Sequence, residues 1–412
     1  MDRASSGNEV LVLFPCFQCI PWFSSTSECE SYNDNMNSSP DLIVIGGGII
    51  GLTSAYVLAN AGVQVAVYDR QDFGREASWA GAGIIPPGDP LRTATPYDHL
   101  RALGAVGMPI LSAELRELTG IDNGYLRSGG IDFLQADDDY VVPLWQQEAI
   151  RFEALSPSQL ASREANIASP VGSPYYLPDM AQVRNPRHLR ALIAGCERIG
   201  VELHANCGLE RFLVDGDRIT GVQLDTGEVA SAGQYLLASG AWSGAILQPF
   251  GCTPGVVPVL GQIALLQTNA DVLKSILLFG KEYLVPRGDG RILIGSTEEP
   301  EAGFEKRTTP AGIESLLAFA NHLVPALREA KLETAWCGLR PGSPDGMPFI
   351  GPVPNVRNLF AAIGHYRSGV QLSIGTAQFV KELVMGEVPC VPLSSFALDR
   401  KAGRMARTAF RS

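Results

Sequence analysis

Residues 41–70 read "DLIVIGGGIIGLTSAYVLANAGVQVAVYDR" and set the architecture. An apolar run over 42–46 is followed by a helical pattern over 49–61 and an alternating strand over 63–68. Strand, helix and strand in that order form a β-α-β unit, which makes a parallel sheet the default. The first turn carries Gly46-x-Gly48-x-x-Gly51. The first glycine permits the tight turn, the second lets backbone approach a pyrophosphate, and the third lets helix pack closely on strand. Amides at the helix N-terminus then face the phosphates. Asp69, at the end of the second strand, is placed to accept hydrogen bonds from a ribose hydroxyl. That acid argues against NADP but leaves FAD and NAD both open.

The remaining composition narrows the class. The chain has 412 residues, 46% of them hydrophobic, enough for a large core and about two or three domains. A net charge of −11 argues against general attraction to nucleic acid or an anionic membrane, so a small anionic substrate must be captured by specific arginines. The eight cysteines are scattered and form no disulfide framework, which fits a reducing cytoplasm. Cys16 and Cys19 make a single pair with no histidine before His99, short of the four ligands of a structural zinc, so no metal site is expected. The apolar segment "VLVLFPCFQCIPWF" at 10–23 is shorter than the roughly 20 residues of a spanning helix, and Pro15, Gln18 and Pro21 interrupt it. The preceding "MDRASSGNE" has the wrong charge for a secretory leader. Residues 1–39 are therefore expected to be a disordered extension outside the fold.

Further along, helices are expected over 99–120 and 138–155, with a strand in "YLRSGGIDFLQ" between them. Another helix follows at 185–200, with Asn185 as its cap and Pro186 at its first position. The stretch "LERFLVDGDRITGVQLDTGEVASAGQYLLASG" reads as a meander punctuated at Asp215-Gly216 and Thr226-Gly227. "YLVPRGDGRILIGST" reads as a hairpin turning at Asp289-Gly290, and Thr309 caps a helix that opens with Pro310. The final "RKAGRMARTAFRS" reads as a frayed basic tail. Two more glycine-bearing stretches, "REASWAGAGIIPPG" at 75–88 and "YLLASGAWS" at 235–243, let backbone lie against a flat ring or phosphate. Each serves equally well as an ordinary tight turn.

The most informative motifs are "GLRPGSPDGMPFIGP" and "GHYRSGVQL" near the C-terminus. Taken with "GGGIIG", "AGAGII", "ASGAWSG" and "YLVPR", they resemble the glycine oxidases of thiamine (thiazole) synthesis, in the D-amino acid oxidase and sarcosine oxidase superfamily. The resemblance runs from Asp41 to about residue 395. It implies an α/β fold, with an FAD-binding Rossmann-like domain of the glutathione-reductase and D-amino acid oxidase type and a second, antiparallel-sheet substrate domain. The FAD domain is expected from 40–120, 180–245 and 337–395, the substrate domain from 121–179 and 246–336, and a tail from 396–412.

By that resemblance, FAD contacts fall on Gly46, Gly48, Ile49, Ile50 and Gly51, on Asp69 and Arg70, and on Ala77, Ser78, Ala82, Gly83 and Ile84. They continue on Gly208, Gly240 and the turn His365, Tyr366, Arg367, Ser368, Gly369, Val370 and Gln371. The helix after Ser368 would aim its positive end at the ring. Arg340 would clamp the substrate carboxylate bidentately, Tyr283 would bond it or close the pocket, and Arg367 would be a second substrate-side arginine. Relatives can carry methionine where Ile84 and Glu298 stand and histidine where Lys281 stands, so the substrate range is expected to differ. Glu298 in particular would repel acidic substrates. Cys337 is not where sarcosine oxidases attach flavin, so FAD is expected to be non-covalent.

The implied reaction is oxidative deamination of glycine, sarcosine or a small D-amino acid by O2. The alternative is a D-amino acid dehydrogenase that passes its electrons to a quinone. Expected partners are the amino acid and O2, thiazole synthase as acceptor of the imine, and further copies of the chain in a homo-oligomer. Neither nucleic acid nor membrane is expected.

Overall fold

The computed structural model describes residues 39–168, 172–268, 271–401, 403 and 407–410. The readings of the N-terminal extension and of Cys16 and Cys19 fall outside these residues. Leu42–Ile45 is the centre of a six-stranded sheet. Val65–Tyr68 and then Glu202–His204 lie on one side of it. Gln234–Leu237, Leu359–Ile363 and Phe349–Pro352 lie on the other. All neighbours pair in parallel except Phe349–Pro352, which is antiparallel to its neighbour. The chain leaves the central strand in one direction and returns on its other side. Its C-terminal end is thus the switch point where α/β sheets bind ligands.

All four residues of Leu42–Ile45 and of Val65–Tyr68 are buried, as strands covered on both faces require. One face meets the helices Ile49–Asn60, Pro96–Thr119, Asn185–Arg198 and Gly369–Met385 through Leu52, Leu111, Leu192 and Phe379. The other meets the meander Leu209–Asp215, Arg218–Leu224 and Val229–Ala230 through Ile219, Val222 and Leu224.

An eight-stranded sheet forms the other half. Its order is Lys331–Gly342, Val257–Gln267, Arg291–Gly295, Glu282–Pro286, Ile276–Phe279, Gly130–Leu134, Ser173–Leu177 and Glu153–Ala154. It is antiparallel except where Ile276–Phe279 runs parallel to Gly130–Leu134. The helix Pro310–Leu323, capped by Thr309 Oγ1 accepting from the Gly312 amide at 3.1 Å, covers one face.

The structure corrects several expectations. The domain boundary placed at 336/337 falls inside Lys331–Gly342, a continuous strand paired with Val257–Gln267 along its length. Only Val141–Gln147 of the helix expected over 138–155 is helical, because Ala149 takes a left-handed φ of 53° and ends it. Asn185 is the first helical residue and not the cap; its Nδ2 donates to Ser78 O at 2.8 Å. Within the tail expected to be frayed, the described residues Thr408, Ala409 and Phe410 are buried.

Candidate active site

A cavity of about 820 Å³ opens at the C-terminal end of Leu42–Ile45, where Ile45 and Ala238 line it. Gly46 has φ 113°, and a Cβ there would stand 2.5 Å from Ala238 O, so only glycine turns the chain tightly enough. Gly48, Ile49 and Ile50 follow it along the wall at the start of the first helix. The Ile49 amide donates to Ser78 Oγ at 2.9 Å. Asp69 accepts from the Gly47 amide at 2.7 Å and the Gln71 amide at 3.0 Å, one on each carboxylate oxygen. Burial raises the Asp69 pKa, and those two bonds oppose the rise.

Ala77, Ser78, Ala82, Gly83 and Ile84 form the next wall. Arg287 fixes this loop from behind, donating to Ala82 O at 2.7 Å, to Val183 O at 3.1 Å and to Gln182 Oε1 at 2.8 Å. Burial holds its guanidinium down to about 10. Arg70 and Gly240 line the same end, with the Arg70 guanidinium 3.6 Å from the centre of the Trp242 ring.

The strands of the large sheet bring Tyr283 and Arg340 to the opposite wall. Arg340 Nη1 donates to Thr297 O at 3.1 Å and Nη2 to Ser296 Oγ at 2.7 Å. Burial lowers its pKa, against the attraction of Tyr283. Two glycines make the room. A Cβ on Gly261 would lie 2.0 Å from Arg340 Nη1, and one on Gly295, directly opposite Tyr283, 2.3 Å from the Tyr283 hydroxyl.

The turn from His365 to Gln371 closes the cavity, and Ser368, Gly369, Val370 and Gln371 present the start of Gly369–Met385 to it. The buried Gln371 Nε2 has no hydrogen-bond partner. His365 Nε2 pairs with Thr376 Oγ1 at 2.9 Å, and burial pushes the imidazole down to about 3, so it is uncharged. The Tyr366 hydroxyl donates to Glu298, which also faces Lys281 Nζ at 3.7 Å. Arg367 donates to Lys281 O at 2.7 Å.

Of the residues expected to hold FAD or substrate, all but Gly51 and Gly208 line the cavity. Gly51 packs behind it, where a Cβ would meet Gly46 O at 1.9 Å. The Gly208 amide is held by Asp225 at 2.9 Å, and its neighbour Leu209 reaches the wall instead. Glu298 is not on the wall either; it sits behind Tyr366. Arg287, Trp242, Ser296 and Phe410 were not singled out. The first two lie in the quoted "YLVPR" and "YLLASGAWS", but nothing local marks Ser296 or Phe410.

Residues 41–383 match the family described as FAD dependent oxidoreductase. A glycine oxidase of Pseudomonas aeruginosa is 38% identical over 373 residues, covering 89% of this chain and all of that protein. The chain belongs to the glycine oxidase family of FAD-dependent oxidoreductases. The crystal structure of glycine oxidase from Geobacillus kaustophilus superposes on this flavoprotein with a TM-score of 0.83 at 30% identity, over 88% of this chain and 99% of that one. The "Bifunctional protein ThiO/ThiG" of Trichormus variabilis is 32% identical over 87% of this chain, which spans 55% of it. Among the described residues, no cysteine lines the flavoprotein's cavity, no cluster of His, Cys, Asp and Glu is arranged to hold a metal, and no helix is long and apolar enough to cross a membrane.

Proposed function

We propose that the protein is an oxidase of glycine and comparably small amino acids, converting glycine, O2 and water to glyoxylate, ammonia and hydrogen peroxide. The observation that carries this reading is the part-buried Arg340 guanidinium, held by Ser296 and Thr297 near Tyr283, in the wall of the cavity that the dinucleotide motif also lines.

The residues present fit FAD. Gly46 and Gly48 leave the start of Ile49–Asn60 open to a pyrophosphate, whose charge the helix N-terminus favours. Asp69 spends one acceptor position of each oxygen on backbone amides and keeps others for ribose hydroxyls. Gln371 Nε2, a buried donor without a partner, calls for an acceptor on whatever fills the cavity beside it. With no cysteine on the wall, a thioether link has no donor, which supports non-covalent binding. We assign the six-stranded sheet to the FAD domain and the eight-stranded sheet to the substrate domain.

When bound there, FAD would supply the two-electron oxidation of the amino acid to its imine, with O2 as final acceptor and water hydrolysing the imine. The chain supplies position and field. Arg340 has five N–H donors and uses two of its nitrogens on Thr297 and Ser296, leaving hydrogens for a carboxylate. In a buried site such charge-assisted bonds are worth about 1.5–3 kcal/mol each. Tyr283 stands next to that carboxylate position and narrows the pocket. The uncharged His365 braces the turn through Thr376 without adding charge. The positive end of Gly369–Met385 favours negative charge that develops nearby, by about 0.3–1 kcal/mol or more when partly buried.

We further propose that the imine can be handed to thiazole synthase. What supports this is that similar chains form about half of relatives named "Bifunctional protein ThiO/ThiG". The whole reading is tested by incubating purified protein with glycine in air and measuring glyoxylate and peroxide. Equimolar production supports it. Glyoxylate formed only when a quinone is supplied, without peroxide, would replace the oxidase with the dehydrogenase.

A further inference from the structure

We propose that Phe410, carried by the C-terminal residues Thr408–Phe410, is a wall of the substrate end of the cavity and sets the size of amine it admits; this rests on the oxidase reading above. These residues lie beyond the family match, which ends at 383. Phe410 nevertheless lines the cavity and is 5% exposed. It belongs to the same apolar cluster as Ile84, Ile263 and Tyr283, and Tyr283 neighbours the carboxylate-binding Arg340. From the cluster it shares with Tyr283 we infer that Phe410 faces the reacting end of the cavity and not the nucleotide end.

The segment is anchored by directed bonds as well as by apolar packing. Trp145 Nε1 donates to Ala409 O at 2.7 Å, and the Ala409 amide donates to Asp98 Oδ1 at 3.3 Å. The Phe410 ring packs on Trp145 with centroids 5.8 Å apart, and the Arg101 guanidinium lies 5.0 Å from its centre. Arg101 is itself buried between Asp98 and Glu148 and donates to Pro87 O. That last bond ties the anchor to the loop after Ile84, on the same cavity wall. Upstream, Arg400 pairs with Asp345 at 2.8 Å and lies over Phe349, so the chain is pinned on both sides of the span between. The polar bonds fix the backbone at Ala409, and packing on Trp145 and against Arg101 holds the Phe410 ring at the cavity. Its volume therefore subtracts from the pocket.

The test compares full-length protein with Phe410→Ala and with a chain ending at residue 400, all loaded with FAD. kcat/KM is measured for glycine and for D-phenylalanine. Removing a ring from an apolar pocket should raise the D-phenylalanine-to-glycine ratio about tenfold or more. A ratio within about twofold of the parent, in protein that holds FAD, overturns the proposal. Phe410→Leu and Trp145→Phe, milder changes at the wall and its anchor, should shift the ratio the same way, so poor folding of the larger deletions leaves the question answerable. Binding of benzoate against acetate, read from the flavin spectrum, gives a second measure that needs no turnover. Phe410→Ala should favour benzoate by a similar factor, and an unchanged preference counts against the wall. If the parent oxidises neither amino acid, the oxidase reading fails while the benzoate measurement still judges the wall.

Discussion

Arg340 and Gly261 are diagonal neighbours across the pairing of Lys331–Gly342 with Val257–Gln267, and the guanidinium lies where a side chain at 261 would stand. Gly261→Ala should push the flexible end of Arg340 off Ser296 and Thr297 at little cost to folding. The expected outcome is unchanged FAD binding, a melting temperature within a few degrees of the parent, and kcat/KM for glycine at least about tenfold lower. Steady-state kinetics with a thermal melt checks it. Loss of FAD together with activity would mean that the glycine serves the fold and not the arginine.

Arg340→Ala removes the proposed carboxylate clamp itself. Two charge-assisted bonds lost correspond to a fall of about 10²–10⁴ in kcat/KM for glycine, with the flavin still bound. Arg340→Lys should recover little, since one ammonium does not reproduce the bidentate fork.

Asp69→Ala should weaken FAD about 10- to 100-fold, measured by fluorescence titration of apoprotein. Part of the loss should appear as lower stability of the apoprotein, because the Gly47 and Gln71 amides lose their acceptor. Arg287→Met should act through the loop it braces. Each buried carbonyl or amide oxygen left unpaired costs about 1–3 kcal/mol. Weaker FAD binding is expected, although Arg287 does not itself line the cavity.

His188 and His365 are buried and uncharged, with pKa values of about 4 and about 3 against an ordinary 6.5. The unfolded chain binds protons that the fold excludes, so their contribution is fully present above pH 6.5 and is lost as pH falls below it. The slope is at most about 1.4 kcal/mol per pH unit for each histidine. Melting temperatures taken from pH 7.5 down to 4.5 should fall, and less steeply for His365→Gln. An identical slope in that variant would show that other groups carry the acid sensitivity.

The parallel half of the fold was legible because glycine spacing, burial and the acid at Asp69 all act within residues 41–70. Arg340 and Tyr283 were legible only through the resemblance, since they meet by pairing of strands far apart in the chain. The short helix Val141–Gln147 was overextended because its apolar period continues past Ala149, where the left-handed backbone stops it. Phe410 could not be read at all. A lone aromatic in a basic tail gives no periodicity, and its burial depends on Trp145 and Asp98, more than 260 residues away.

The central claim is that glycine reaches a flavin in this cavity and reduces it. The direct measurement is the absorbance spectrum of the purified holoprotein, without oxygen, before and after glycine. The flavin bands should bleach on adding glycine and return with peroxide when air is readmitted. Bands that stay unbleached at saturating glycine would contradict the account, whatever the fold.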